Sequence, residues 1–270
     1  MPPHKFTKEI INGICQRYVS GESASRIAKS FSTRHPTIIK YLREMNIPIR
    51  SLSDSSRRKL HVNINCFDNI TNEAAYWIGF IFADGYISIK PPGNGNNAIK
   101  VEISIKDIQH LIKFKNFLNS HHKISIMPGH GYTNSLPTCS IQIRSKTITD
   151  MLIYYGCGNK LNNKISEYLS MSCDFWRGMI DADGYVSIGC NIPQIGLCGG
   201  RPILEQFVNF VHNLIPKFKG TIRKAKTIFR VDSNSHIARQ LITHLYQNAP
   251  VYLNRKMKIA QMIINDSPAP

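Results

Sequence analysis

The stretches Trp77-Ile-Gly-Phe-Ile-Phe-Ala-Asp84-Gly85 and Trp176-Arg-Gly-Met-Ile-Asp-Ala-Asp183-Gly184 are near copies of each other, with terminal aspartates 183 − 84 = 99 positions apart. A repeat at that spacing constrains the chain to two similar halves, each placing one aspartate at the same point. Small residues recur at helical spacing: Ala75, Gly79 and Ala83 in the first copy, Gly178 and Ala182 in the second. Positions four apart share a helix face, and side chains this small let two helix backbones come close. Each copy ends Ala-Asp-Gly-Tyr, where the glycine is predicted to leave the helix with positive φ. Each aspartate then sits at a helix C-terminus, where the macrodipole disfavours negative charge. A cation is needed to offset that cost, and a divalent metal is the obvious candidate.

These residues resemble the paired signature helices of the LAGLIDADG homing endonucleases, in the single-chain version with two motifs. The second copy follows the consensus from Gly178 to Gly184. The first departs from it, with Trp77 at the leading leucine and Phe82 at a non-catalytic acidic position. Asp84 is retained.

The charge balance agrees with a polyanionic partner. Lys and Arg number 34 against 17 Asp and Glu, giving a formal charge of +17. Neutralising phosphates releases condensed counterions, so a basic surface of this size favours nucleic acid. A membrane-surface protein would concentrate its lysines in one amphipathic helix, whereas these are spread along the chain. No apolar run is long enough for a membrane span and no secretory signal is apparent. The seven cysteines form no Cys-x-x-Cys pair, which argues against a zinc site or disulfide framework. The expected setting is intracellular: cytoplasm, nucleoid or organelle matrix.

Residues 1–50 read as three short helices. The first, Phe6 to Val19, puts Ile10, Ile14 and Tyr18 on one face; Ser23 caps the second, around Ile27; the third runs from about His35 to Met45 with Ile38, Ile39 and Leu42 inward. The pattern G-x-S-x-x-x-I-A-x-x-F followed by T-I-I-K-Y-L resembles the helix-turn-helix of invertase-like recombinases and repressors. That resemblance implies a last helix in the major groove exposing Arg34, His35, Thr37, Lys40 and Arg43. Residues 51–65 read as a basic linker in which Arg57 and Arg58 can follow phosphates.

The rest divides into halves at 66–165 and 166–270. In the first, strands are expected at Tyr86–Lys90, Ile99–Lys106, His122–Pro128 and Thr138–Arg144, with helices at Asp107–Asn119 and Thr147–Tyr155. In the second, the strands are Tyr185–Cys190, Gln194–Cys198, Gly220–Lys226 and Ile228–Asp232, with helices at Pro202–Leu214 and His236–Tyr246. An amphipathic stretch, Arg255–Ile264, closes the chain. The order αββαββα, twice, is what the family resemblance implies: an α+β fold whose two sheets form a DNA-binding saddle. Outward strand residues would read base edges. They are Lys90, Asn94, Asn96, Lys100, Glu102 and Ser104 in one half, and Ser187, Gln194, Arg223, Lys226 and Arg230 in the other.

The same resemblance implies metal-dependent phosphodiester hydrolysis. Asp84 and Asp183 would be ligands, with the backbone carbonyls of Ala83 and Ala182 as further donors. The cofactor would be Mg2+, two or three ions at the seam, with Mn2+ able to substitute. Basic residues of the active site would be Lys160 and Lys256, following the last helix of each half, and Lys106 at the end of a strand. Aligning Leu111–Phe114 with Leu204–Phe207 puts Gly199 opposite Lys106, which leaves the Asp183 half the poorer. Asp181 would point about 200° from Asp183 around the helix, in a structural or DNA-proximal role. The expected protein is a monomeric, free-standing or intron-encoded endonuclease that breaks double-stranded DNA in a long site. The alternatives are a non-cleaving DNA-binding regulator of the same fold, or a maturase that takes intron RNA as partner.

Overall fold

The computed structural model describes residues 6–51, 60–91, 97–129, 136–158 and 161–266, in two compact units, 1–62 and 63–270. Asn94, Asn96, Arg57, Arg58 and Lys160 lie outside the described residues.

The first unit holds α1 (Lys8–Val19), α2 (Ala24–Ser30) and α3 (His35–Glu44). Thr7 and Ser23 accept from the backbone N–H groups of Ile10 and Arg26, which fixes the starts of α1 and α2. Its core is Ile11, Ile14, Cys15, Tyr18, Ala24, Ile27, Ala28, Ile38, Tyr41 and Leu42. Two inward assignments change. Ile10 is exposed and Ile11 takes its place, and Tyr41 is buried while Ile39 only flanks the core. Three residues on, Ile14 keeps the stripe continuous from Ile11, so the face is rotated by one position.

The second unit begins its repeat with α4 (Asn72–Asp84), β1 (Gly85–Ser88), β2 (Ala98–Ser104), a 3-10 turn (Ile105–Asp107), α5 (Ile108–Phe117), β3 (Ser125–Met127), β4 (Thr138–Arg144) and α6 (Lys146–Tyr154). A short helix absent from the sequence reading, α7 (Glu167–Ser170), leads into the second half. That half comprises α8 (Cys173–Asp183), β5 (Gly184–Gly189), β6 (Ile192–Gly199), α9 (Arg201–Leu214), β7 (Arg223–Ala225), β8 (Ile228–Asn234), α10 (Ser235–Tyr246) and α11 (Asn254–Asn265). Each half forms a four-stranded antiparallel sheet with matching order, β1-β2-β4-β3 and β5-β6-β8-β7. The expected α+β repeat is present; β3 and β7 are shorter than expected, β6 and β8 longer, and β4 keeps its expected bounds.

Alternation along each strand buries one sheet face. Ile99, Val101, Ile103, Cys139, Ile141 and Ile143 line the inner side of the first sheet; Ile195, Leu197 and Val231 do so in the second. The two cores repeat as well. Trp77 packs on Phe114 at a ring-centroid distance of 4.9 Å and Trp176 on Phe207 at 5.1 Å. The other faces carry the polar residues.

The register of the sheets corrects one alignment. Gly85 pairs with Val101 and Gly184 with Leu197, so the second strands correspond at an offset of 197 − 101 = 96. The following helices start at Ile108 and Arg201, an offset of 201 − 108 = 93. The difference, 96 − 93 = 3, equals the three-residue turn Ile105–Asp107. Lys106 therefore stands on an insertion private to the first half, not at a strand end opposite Gly199. Lys226 also leaves its expected strand, occupying the tight β7–β8 turn with φ 57°.

Candidate active site and nucleic-acid interface

Helices α4 and α8 pack backbone against backbone. A Cβ on Gly79 would lie 2.1 Å from the Phe175 carbonyl oxygen, and one on Gly178 would lie 2.1 Å from that of Tyr76. Because 178 − 79 and 175 − 76 are both 99, the contact is reciprocal, as across a two-fold axis. Ala75 and Ala83 are buried on the same seam. Both helices then pass directly into strands at Gly85 and Gly184, with φ −74° and −102°. The expected positive φ is not used. Glycine is required for space: a Cβ on Gly85 would meet the Ile81 carbonyl at 2.5 Å, and one on Gly184 the Gly196 carbonyl at 2.6 Å.

The two aspartates are consequently the last residues of two crossed helices, Asp84 exposed and Asp183 half-buried. Asp183 lines a pocket of about 340 Å³ with Phe82 and Ala83 from the end of the other helix, together with Cys198, Gly199 and Gly200. Lys256 feels the charge of both aspartates. The ends of the two signature helices thus meet at one place.

Lys256 does not reach outward from it. Its side chain is buried and its ammonium donates to the carbonyls of Ile180, Asp181 (2.9 Å) and Gly184 (2.7 Å). An ammonium has three N–H groups, and all three are committed to closing the C-terminus of α8. Burial pulls its pKa down to about 8, against the raising influence of Asp181, Asp84 and Asp183. The expected direct action on water or phosphate is thus replaced by a cap. Part of the cation that the helix end demands is a lysine.

Asp181 is the buried partner of this arrangement. Tyr76 and Tyr246 each donate a hydroxyl to its carboxylate at 2.7 Å, and the Leu253 N–H donates at 2.7 Å. Tyr76 crosses from α4, so the contact ties the two halves. Burial raises the Asp181 pKa, opposed by Lys256 and by these three donors. Since the Tyr76 proton goes to Asp181, His110 must donate its Nε2–H to the Tyr76 oxygen (3.0 Å). Burial, then Lys113 and Arg255, pull His110 down to about 3, so it is neutral. The first half has Phe82 where Asp181 stands, since 181 − 82 = 99, and no equivalent network at that position. The structural reading of Asp181 holds; Tyr76, His110 and Tyr246 gave no sequence signal beyond their apolar periodicity.

Lys106 adjoins Asp107, which pairs with Arg255 of α11 at 3.0 Å. The insertion of the first half is thereby tied to the closing helix of the second.

On the outer face of the first sheet, Tyr86, Lys100 and Gln142 form one cross-strand row; Glu102, Ser140 and Ser125 form the next, followed by Ser104, Thr138 and Met127. Lys100 forms an ion pair with Glu102. Lys90 is exposed just beyond β1, its N–H donating to Asn97. On the second sheet the rows are Ser187, Gln194 and Asn234; Tyr185, Gly196 and Asp232; then Cys198, Arg230 and Arg223. Strand parity alone exposes Tyr86, Gln142, Tyr185 and Asn234, which the sequence reading passed over. A polar cleft of about 510 Å³ holds Gln194, Arg223, Arg230 and Asn234 with Lys217 and Lys219. In the separate helical unit, Arg34, His35, Lys40 and Arg43 are exposed and Thr37 half-buried. A groove of about 810 Å³ there adds Arg26 and Lys29.

Among the described residues no helix is long and apolar enough to cross a membrane, and no group of three or more His, Cys, Asp or Glu side chains gathers as a metal cage. The donors at the two helix ends are the carboxylates of Asp84 and Asp183, both sensed by Lys256, and the helix-end carbonyls. That set fits a hard dication such as Mg2+, which keeps much of its water. The Cys198 thiol in the same pocket is pushed up by burial, and by Asp232 and Asp183.

No family model matches the chain, and no curated protein matches it. Solved structures do. The homing endonuclease I-WcaI bound to its DNA recognition sequence aligns over 80% of this chain and 97% of its own, with TM-score 0.52 and 14% identity. The LAGLIDADG meganuclease I-AabMI bound to uncleaved DNA covers 73% and 90%, with TM-score 0.47 and 14% identity. The N-terminal LAGLIDADG domain of WhiA covers 80% and 98%, with TM-score 0.44 and 13% identity. The fold shared with I-WcaI is the two-sheet LAGLIDADG fold.

Proposed function

We propose that the protein is a site-specific, divalent-metal-dependent DNA endonuclease that breaks both strands of a long duplex site. The observation that carries this reading is the close packing of α4 and α8, each of which ends in an aspartate and passes directly into a sheet with a polar face. The homing endonuclease I-WcaI, solved on its DNA recognition sequence and similar in fold at TM-score 0.52, supports DNA as partner.

Asp84 and Asp183 would hold Mg2+, or Mn2+, with the carbonyls of Ala83 and Ala182. A bound dication there supplies an activated water and neutralises charge at the phosphate. Lys256 and the Asp181 network hold the end of α8 rigid, so that Asp183 keeps its position when DNA binds. Lys106, and Lys160 outside the described residues, are the basic residues left to approach phosphates. The helical unit, read as a helix-turn-helix, lengthens the site through Arg34, His35, Thr37, Lys40 and Arg43. The internal two-fold makes a monomer sufficient, and intron homing in an intracellular compartment is the biological setting this reading implies.

The deciding experiment incubates DNA spanning the gene's own insertion locus with wild type and with Asp84→Asn/Asp183→Asn, in magnesium or in EDTA. Magnesium-dependent cutting at one position, absent in the variant while binding persists, is the expected result. Tight binding without cutting under any divalent ion would replace the nuclease by a regulator or, if intron splicing improves when the protein is added, by a maturase.

A further inference from the structure

Two halves with one topology carry different chemistry at corresponding points of their sheets. In the second sheet, Tyr185 and Asp232 are the two cross-strand neighbours of Gly196. Residues two strands apart do not normally touch. Here they do, because Gly196 between them has no side chain: the Tyr185 hydroxyl donates to Asp232 Oδ1 at 2.9 Å over it. A Cβ at position 196 would fall 2.5 Å from the Tyr185 ring and 2.7 Å from Asp232 Oδ1. The other carboxylate oxygen, Asp232 Oδ2, faces Nε of Arg230, two residues along β8 on the same face, at 3.0 Å.

The result is a chain of three side chains, Tyr185 holding Asp232 and Asp232 holding Arg230. Burial and the Asp232 carboxylate push the Tyr185 hydroxyl up to about 12, so it stays a donor. The Arg230 side chain is exposed, its Nε forms an ion pair with Asp232, and no hydrogen bond to its two Nη groups is found among the described residues. A guanidinium drawn to one side by a carboxylate keeps those two groups as a two-pronged donor. The ligand such an edge matches on a duplex major groove is guanine, through O6 and N7.

The first half cannot build this device. With the strand offsets of 99 for β1/β5, 96 for β2/β6 and 90 for β4/β8, Gly196 corresponds to Lys100, Asp232 to Gln142 and Arg230 to Ser140. Lys100 fills the space that Gly196 leaves open, and Tyr86 stands 66% exposed where Tyr185 is 36% exposed.

We propose that Arg230, positioned by Asp232 and Tyr185 over Gly196, reads a guanine in the half-site facing the second sheet, a contact with no counterpart in the other half. The inference rests on the DNA-binding reading above and adds to it the base that Arg230 reads and the side chains that position it. A phosphate would accept the same two donors. The position of Arg230 in a row across the sheet face, between Cys198 and Arg223, favours a base edge, and the experiment separates the two.

The full chain is used in EDTA to select from a randomised double-stranded DNA library, in parallel with Arg230→Lys, Arg230→Ala and Asp232→Asn. Wild type is expected to enrich one sequence with a guanine fixed at a single position on one side of its centre. Arg230→Lys keeps the charge but loses the fork, so preference at that position alone falls roughly tenfold or more while the other positions persist. Asp232→Asn lowers preference at the same position less, with total affinity nearly unchanged. An enriched sequence that both Arg230 variants leave unaltered, with only a uniform loss of affinity, makes Arg230 a phosphate contact and overturns the inference. Loss of preference at every position together also overturns it, by making Arg230 a structural residue. Failure of wild type to enrich any duplex overturns the DNA-binding reading itself.

Discussion

Asp181 is a carboxylate removed from water and held by two tyrosine hydroxyls and a backbone N–H. Replacing it with leucine leaves the Tyr246 hydroxyl and the Leu253 N–H without this acceptor, and Tyr76 with His110 alone. Asp181→Leu should therefore cost about 3 kcal/mol in urea unfolding, and Asp181→Asn, which keeps an acceptor, clearly less. His110 makes acidification the second test. Its folded pKa of about 3 lies below the ordinary value of 6.5, so between those values the unfolded chain binds the extra proton. Its contribution is whole above pH 6.5 and is lost as pH falls towards 3, reaching about 1.4 kcal/mol by pH 5.5. The pH dependence of urea midpoints should flatten by that amount in His110→Gln; an unchanged slope would show that His110 does not titrate on unfolding. Lysine 256 belongs at this scale too. A residue picked out as a phosphate-facing base turns out to close the end of the helix that carries Asp183.

At the scale of elements, the seam between α4 and α8 depends on two absent side chains. Gly79→Ala and Gly178→Ala each set a methyl against a carbonyl oxygen of the facing helix, with no flexible side chain to yield. Each should cost at least about 2 kcal/mol, lower the melting temperature, and reduce DNA cleavage further by parting Asp84 from Asp183. The longer helices and the order of elements along the chain are legible in the sequence, because apolar periodicity and turn residues are local signals, whereas the four-residue α7 is not. The three-residue turn Ile105–Asp107 was not, since an insertion in one half shows only when two sheet registers are set side by side. The glycines after the aspartates were recognised for the wrong reason. Gly85 is crowded by the Ile81 carbonyl of the last turn of its own helix, whereas the close approach of Gly184 to Gly196 depends on how two strands pair.

For the whole molecule, the asymmetry of two halves is the main expectation. Lys106 stands on a turn present in the first half alone, whereas Lys256, in the second, is consumed as a cap. Strand-resolved kinetics should show unequal nicking, slower at the Asp183 site, and equal rates would remove the asymmetry from function. The duplication, the two aspartates, the basic character and the alternation that gives each sheet a polar face are carried by spacing and residue type, and are read directly from the chain. Three features exist only in the folded molecule: Asp181 ties the halves, Lys256 turns inward, and Tyr185 meets Asp232 over Gly196. Each of those pairs lies between 47 and 105 positions apart in the chain, and only the fold brings them within reach of a hydrogen bond.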